Sequence, residues 1–146
     1  MKLLAYMILI TTMLYTHVAY SKECDHVKPL NNDTIISVLK SGGFSYPISK
    51  DAMYQWVGCY LYKETELSVY YYLNTWGEAQ RSTQRIILIV NGRQYLGMYP
   101  INDKPDLMEG ALIKFNYPSQ YGNVISLKNG PPKKIYLDGE TSNLFK

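Results

Sequence analysis

Two histidines, two cysteines and twelve carboxylates are the side chains of this chain best suited to catalysis or metal binding. His17 lies inside an apolar N-terminal stretch, which leaves His26 as the histidine of the body of the protein. A Ser-His-Asp or Cys-His arrangement needs a histidine poised between a nucleophile and an orienting group. His26 stands beside Cys24, whose thiol would be consumed by pairing with Cys59. The sequence contains no His-Glu-x-x-His, no Cys-x-x-Cys and no glycine-rich phosphate cradle. Cys24, Asp25 and His26 are too close along the chain to converge on one ion, and no second ligand group follows at a suitable spacing. The sequence therefore predicts no catalytic residue, no metal and no cofactor.

Carboxylates offer the remaining routes to chemistry. Glu64 and Glu66 are two apart near an expected hairpin tip, where period-2 geometry sets both on one face. Such a pair has the look of a glycosidase acid and base. A charged turn is the simpler expectation. Asp103, Asp106 and Glu109 supply the oxygen ligands that Ca²⁺ prefers, but at a spacing that matches no calcium-binding loop.

Aromatic residues are the more informative set, with 15 tyrosines in 146 residues. Across residues 53–63, Met53, Val57, Cys59 and Leu61 share one parity, and Tyr54, Trp56, Tyr60 and Tyr62 the other. With the first set facing a core, Trp56, Tyr60 and Tyr62 face outward. The same logic turns Tyr70 and Tyr72 outward from the neighbouring strand. Paired in a hairpin, these five form a contiguous aromatic patch, the kind of surface that marks an interaction site. The competing expectation is that this face is covered by a short helix, by the N-terminal lead or by a second sheet. Tyr95 and Tyr99 form a second, weaker candidate face.

The elements that must position these residues are mostly strands. Asn32 or Asp33 caps a short helix over 34–40, and Gly42-Gly43 ends it. Asn32-Asp33-Thr34 also matches the N-glycosylation acceptor pattern, which matters only in a eukaryotic host. Strands follow over 53–63 and 67–73, joined by a tight connection at 63–66. The polar stretch 74–83, with Gly77, reads as a loop. Residues 86–90 are apolar on both parities and predict a central strand covered on both sides. Asn91-Gly92 then predicts a type I′ hairpin into 93–99, since both central residues need positive φ. Pro100 and Pro105 bracket a loop that runs to Gly110. Residues 111–117 alternate, with Ala111, Ile113, Phe115 and Tyr117 inward. A further hairpin is expected between 124–128 and 134–137, through Asn129-Gly130-Pro131-Pro132. Asp138-Gly139 begins a last turn. The fold class expected is mainly β: an antiparallel sandwich or small barrel of about seven strands with one short N-terminal helix. A curved sheet with the helix packed on one face is the alternative.

The N-terminus sets the compartment. Lys2 precedes an almost wholly apolar run from Leu3 to Tyr15, and Ala19 and Ser21 suit the −3 and −1 positions of a cleavage site. Residues 1–21 thus read as a signal peptide and 22–146 as a single exported β-rich domain. An uncleaved anchor is disfavoured because Thr11, Thr12, Thr16 and His17 interrupt the run. In an exported chain, Cys24 and Cys59 are expected to form a disulfide. Closing a loop of about 35 residues stabilises a fold by roughly 3–4 kcal/mol on the chain-entropy estimate. With 15 basic and 12 acidic residues, net charge is only +3, and Lys133-Lys134 reads as a solvated turn, so nucleic acid is not an expected partner.

Taken together, these features favour a non-enzymatic exported binding protein, periplasmic or secreted. Its concrete form is an inhibitor or immunity-type protein that occludes an exported or envelope enzyme. A carbohydrate-binding or carbohydrate-hydrolysing protein using Glu64, Glu66 or Glu78 is the second reading, because aromatic faces stack on sugar rings. A surface-assembly subunit ranks third, since the lead at 22–31 lacks the alternating apolar residues of a donor strand.

Overall fold

Ile86, Ile87, Leu88 and Ile89 have no solvent exposure, and the molecule is layered around them. They lie on one of the two inner strands of a four-stranded antiparallel sheet in a computed structural model that describes Cys24 and residues 27–146. Residues 1–23, which include the stretch read as a signal peptide, and Asp25 and His26 lie outside the described residues. The sheet runs in order β1 (Met53–Tyr62), β2 (Thr65–Trp76), β3 (Arg81–Val90) and β4 (Gln94–Ile101). Asn91 and Gly92 take positive φ, and the Arg93 N–H donates to the Val90 carbonyl, as the expected hairpin requires. Lys63 and Glu64, also at positive φ, make the β1–β2 turn.

One face of the sheet is covered by α1 (Asn32–Ser41). Ile35, Val38 and Leu39 bury against Tyr70, Tyr72, Ile87, Ile89 and Tyr95. The cap is Asn31, not Asn32 or Asp33: its backbone is extended and its side chain accepts from the Thr34 N–H at 2.8 Å. The helix starts at Asn32, two residues earlier than expected, which places Asp33 in the first turn, where a carboxylate meets the positive end of the helix. At the other end Gly43 has φ 93°. The Phe44 N–H folds back to the Leu39 carbonyl, which a residue with a Cβ would resist at that position.

The opposite face packs on small antiparallel sheets. One contains β5 (Leu107–Glu109), β6 (Leu112–Lys114) and β7 (Val124–Ser126); the other contains β8 (Lys134–Leu137) and β9 (Glu140–Asn143). Ile113, Phe115, Ile125, Leu127, Ile135 and Leu137 close over Val69, Ile86 and Leu88. Among the described residues nine strands form instead of about seven, and no sheet is closed. The expected hairpin between 124–128 and 134–137 does not form. β7 pairs with β6, and β8 pairs across Asp138-Gly139 with β9. Pro131 and Pro132 lack the N–H that a continuous ladder would need.

The stretch 74–83 is also not a loop. β2 and β3 stay paired out to Trp76 and Arg81, and only 77–80 turn. Polarity misled here because the end of the ribbon projects into solvent: Trp76, Arg81 and Ser82 are all exposed. Among the described residues no helix is long and apolar enough to cross a membrane. Cys24 and Cys59 are joined by a disulfide, which fits an oxidising, exported location.

Candidate functional site

The expected aromatic patch is not contiguous, and the cause is one residue. The β1–β2 register places Trp56 opposite Tyr70 but Gly58 opposite Val69, so Val57 is an extra residue in a β-bulge. A bulge reverses the parity of everything beyond it. Tyr54 and Trp56 therefore share the helix face with Tyr70 and Tyr72, while Tyr60 and Tyr62 pack on the other core. Tyr70 and Tyr72 are buried, at 2 % and 0 % exposure, instead of facing outward. Trp56 meets Tyr70 edge-on at 5.4 Å, and the Leu30 N–H donates to the Tyr70 hydroxyl at 2.9 Å. Helix and N-terminal lead together cover this face. Tyr95 and Tyr99 are buried too, and on opposite faces, because β4 has its own irregularity at Leu96.

Neither carboxylate group assembles. Glu64 is a turn residue and Glu66 belongs to β2. Glu78 lies in the turn at the far end of β2. Ten residues of strand separate the two ends, about 33 Å at the rise of an extended chain. Asp103 accepts from the Tyr117 hydroxyl at 2.9 Å, and Glu109 pairs with Lys114 at 2.5 Å. No cluster able to hold a metal occurs among the described residues.

The arrangement with a chemical character of its own lies on the helix face, where the β2–β3 ribbon runs on past α1. Period-2 geometry lines up Asn74 and Trp76 on β2 with Thr83 and Arg85 on β3, on the same face as Tyr72. These four form the floor of a cavity of about 480 Å³. Its wall is residues 46–49, a strap that leaves α1 after Gly43. Phe44 anchors the strap by burying edge-on against Tyr72 and Tyr95, at 5.9 and 5.7 Å. Asn74 fixes the far end: its carboxamide accepts from the Ser49 N–H at 2.9 Å and donates to the Pro47 carbonyl at 3.2 Å.

Arg85 is the unusual member. It is only 8 % exposed. Its guanidinium lies 4.0 Å from the centre of the Tyr46 ring, with Phe44 and Tyr72 further off. Among the described residues it has no carboxylate partner, and the one ion pair found there is Lys114 with Glu109. Burial pulls its pKa below the ordinary value, and only the nearby tyrosines, Tyr72 first, act in the other direction. An arginine nevertheless keeps its charge in a protein. The Ser49 hydroxyl, on the cavity wall, is buried without a hydrogen-bond partner among the described residues.

Among the described residues no Asp, Glu, His, Cys or Lys lines the cavity; its lining combines the Arg85 cation with apolar walls from Pro47, Ile48 and Trp76. No family model, no curated protein and no solved structure matches this chain.

Sequence reasoning missed this site because its residues come from a loop and two strand ends, 39 positions apart at the extremes. One signal was there. Arg85 immediately precedes Ile86 and pairs opposite Tyr72, so a charge had to enter a covered face or break the strand.

Proposed function

We propose that this is a non-enzymatic binding protein, exported to the periplasm or secreted, which recognises its partner through the cavity over Arg85. The observation that carries the reading is a buried guanidinium which, among the described residues, has no carboxylate partner and lies at the floor of an apolar cavity with no acid or base in its lining. Ligand sites are typically concave, largely apolar and oriented by a few polar groups. A buried charge left without a partner is costly to a fold, and a ligand that pairs with it recovers part of that cost. Inhibition of another exported protein is the concrete form: the cavity receives a protruding group of the partner, and the surrounding surface occludes it.

Affinity capture from envelope and secreted extracts tests this, with wild-type, Trp76→Ala and Tyr136→Ala proteins as baits. Trp76 and Tyr136 are both exposed, but only Trp76 lines the cavity. The partner is expected on the wild-type and Tyr136→Ala baits and to be lost from Trp76→Ala. Equal capture by all three would exclude the cavity as the recognition site.

A carbohydrate ligand is the second reading, favoured by the exposed rings of Trp76 and Tyr46 beside the cavity. Binding to a glycan array that Trp76→Ala abolishes, without release of sugar, would select it over a protein partner.

A further inference from the structure

We infer that the cavity takes a carboxylate carried on an apolar body. This rests on the cavity being the recognition site, and it adds the chemistry of what enters. The shape of the unpaired cation supplies the first argument. A guanidinium has two flat faces and an edge of N–H donors that matches a carboxylate two to two. In Arg85 the guanidinium carbon lies over the Tyr46 ring, 4.0 Å from its centre. That contact restrains the group, and its N–H donors have no acceptor among the described residues. A planar anion approaching those donors meets a group already restrained.

The second argument is that the neighbouring polar groups of the wall are already committed or shut away. Asn74 accepts from the Ser49 N–H and donates to the Pro47 carbonyl, and the Ser49 hydroxyl is buried out of reach of the cavity. Arg85 is therefore the charged group that remains for a ligand. The third argument is the rest of the lining. Pro47, Ile48 and Trp76 offer an apolar enclosure, which a bare inorganic anion would leave unused. An apolar body attached to the carboxylate fills it.

Two sources share this chemistry: a small free acid, and the C-terminal residue of a protein partner. The test titrates the full-length, disulfide-bonded protein and follows amide signals by two-dimensional NMR. The probes are phenylacetate, its neutral amide phenylacetamide, and a tripeptide ending in phenylalanine with a free or an amidated terminus. Phenylacetate is expected to bind with Kd at or below about 1 mM. It should move the signals of Ser49, Trp76, Thr83 and Arg85. Phenylacetamide should bind at least about tenfold more weakly, the usual worth of a charge-assisted hydrogen bond.

The acid–amide comparison uses wild-type protein throughout, so it does not depend on any variant folding. Arg85→Gln should erase the preference for the acid, and Trp76→Ala should weaken acid and amide alike. Binding of the free-terminus tripeptide at the same residues assigns the carboxylate to a chain terminus; its exclusion, with phenylacetate bound, assigns it to a small acid. Acid and amide binding equally well in the cavity would overturn the carboxylate and leave the recognition site standing. Probes that bind elsewhere, or not at all, would overturn both.

Discussion

The two faces of the four-stranded sheet are built from alternate residues of the same strands, yet they have different interiors. The face under β5 to β9 is closed by Ile86, Leu88, Ile113, Phe115, Ile125 and Leu127, all nearly or wholly buried. Its buried tyrosines are paired: Tyr71 donates its hydroxyl to the Gln84 carboxamide oxygen at 2.7 Å and Tyr99 donates to the Pro132 carbonyl at 2.6 Å. The face under α1 leaves polar groups unpaired. It keeps a buried arginine, and the hydroxyls of Tyr54, Tyr72 and Tyr95 have no partner among the described residues. The first face is satisfied and therefore optimised for stability. The second retains unpaired polar groups next to a cavity, the condition in which binding energy is still to be gained. A single ten-residue helix covers less of a sheet than two small sheets do, and the uncovered remainder is where the cavity forms.

Removing volume from the face under β5 to β9 should have the largest effect. Phe115→Ala is expected to cost about 3–5 kcal/mol in denaturant unfolding, because the site is enclosed and cannot collapse. A cost under about 1 kcal/mol would mean this face is not the main core, and would erase the contrast between the faces.

Alkali should act on both faces, since burial also raises Tyr71 and Tyr99 on the one under β5 to β9, and the helix face contributes a separable part. Burial pushes Tyr54 and Tyr95 from 10.0 up to about 12, and raises Tyr70 and Tyr72 as well. Between these values the folded protein holds protons that the unfolded chain has released. The unfolded state then binds fewer protons, so stability falls as pH rises through that window and is intact below it. Circular dichroism should show alkaline unfolding beginning near pH 10, with a higher midpoint in Tyr54→Phe/Tyr95→Phe. An unmoved midpoint would show that the helix face is not where alkali acts.

The smallest effect sharpens the comparison most, because one substitution is made on both faces. Tyr99→Phe removes a made hydrogen bond and should destabilise by about 1 kcal/mol. Tyr95→Phe removes an unpaired hydroxyl and should be neutral within about 0.5 kcal/mol, or stabilising. Equal losses in thermal unfolding would mean that the two hydroxyls are equally satisfied.

Local chemistry carried much of this fold into view. Asn91-Gly92, Gly42-Gly43 and the run 86–90 each specify their structure through backbone conformation or burial, and a lone pair of cysteines leaves only one disulfide pairing to form. What stayed hidden depends on register. Parity read from Met53 onward holds only to Trp56, since the extra residue at Val57 reverses it, and the hint was Gly58 inside an otherwise regular strand. The short strands β5 to β9 have little pattern of their own, so their partners are decided by the turns and by packing on the large sheet. The cavity is the least legible feature. Its floor follows from period-2 spacing, but its wall depends on where the chain travels after Gly43, which no local rule fixes.

The cross-link between Cys24 and Cys59 spans 35 positions and encloses α1, the strap and the first half of β1 in one covalent ring. Ser45, Tyr46 and Pro47, exposed at the rim of the cavity, are an accessible place for a protease to cut. A single cut there opens the ring without separating the pieces, because the severed ends stay tethered through the sulfurs. The helix remains docked, and the half of the strap held by Asn74 remains on the sheet. The most exposed wall of the site is thus the segment whose cleavage the molecule is best arranged to survive.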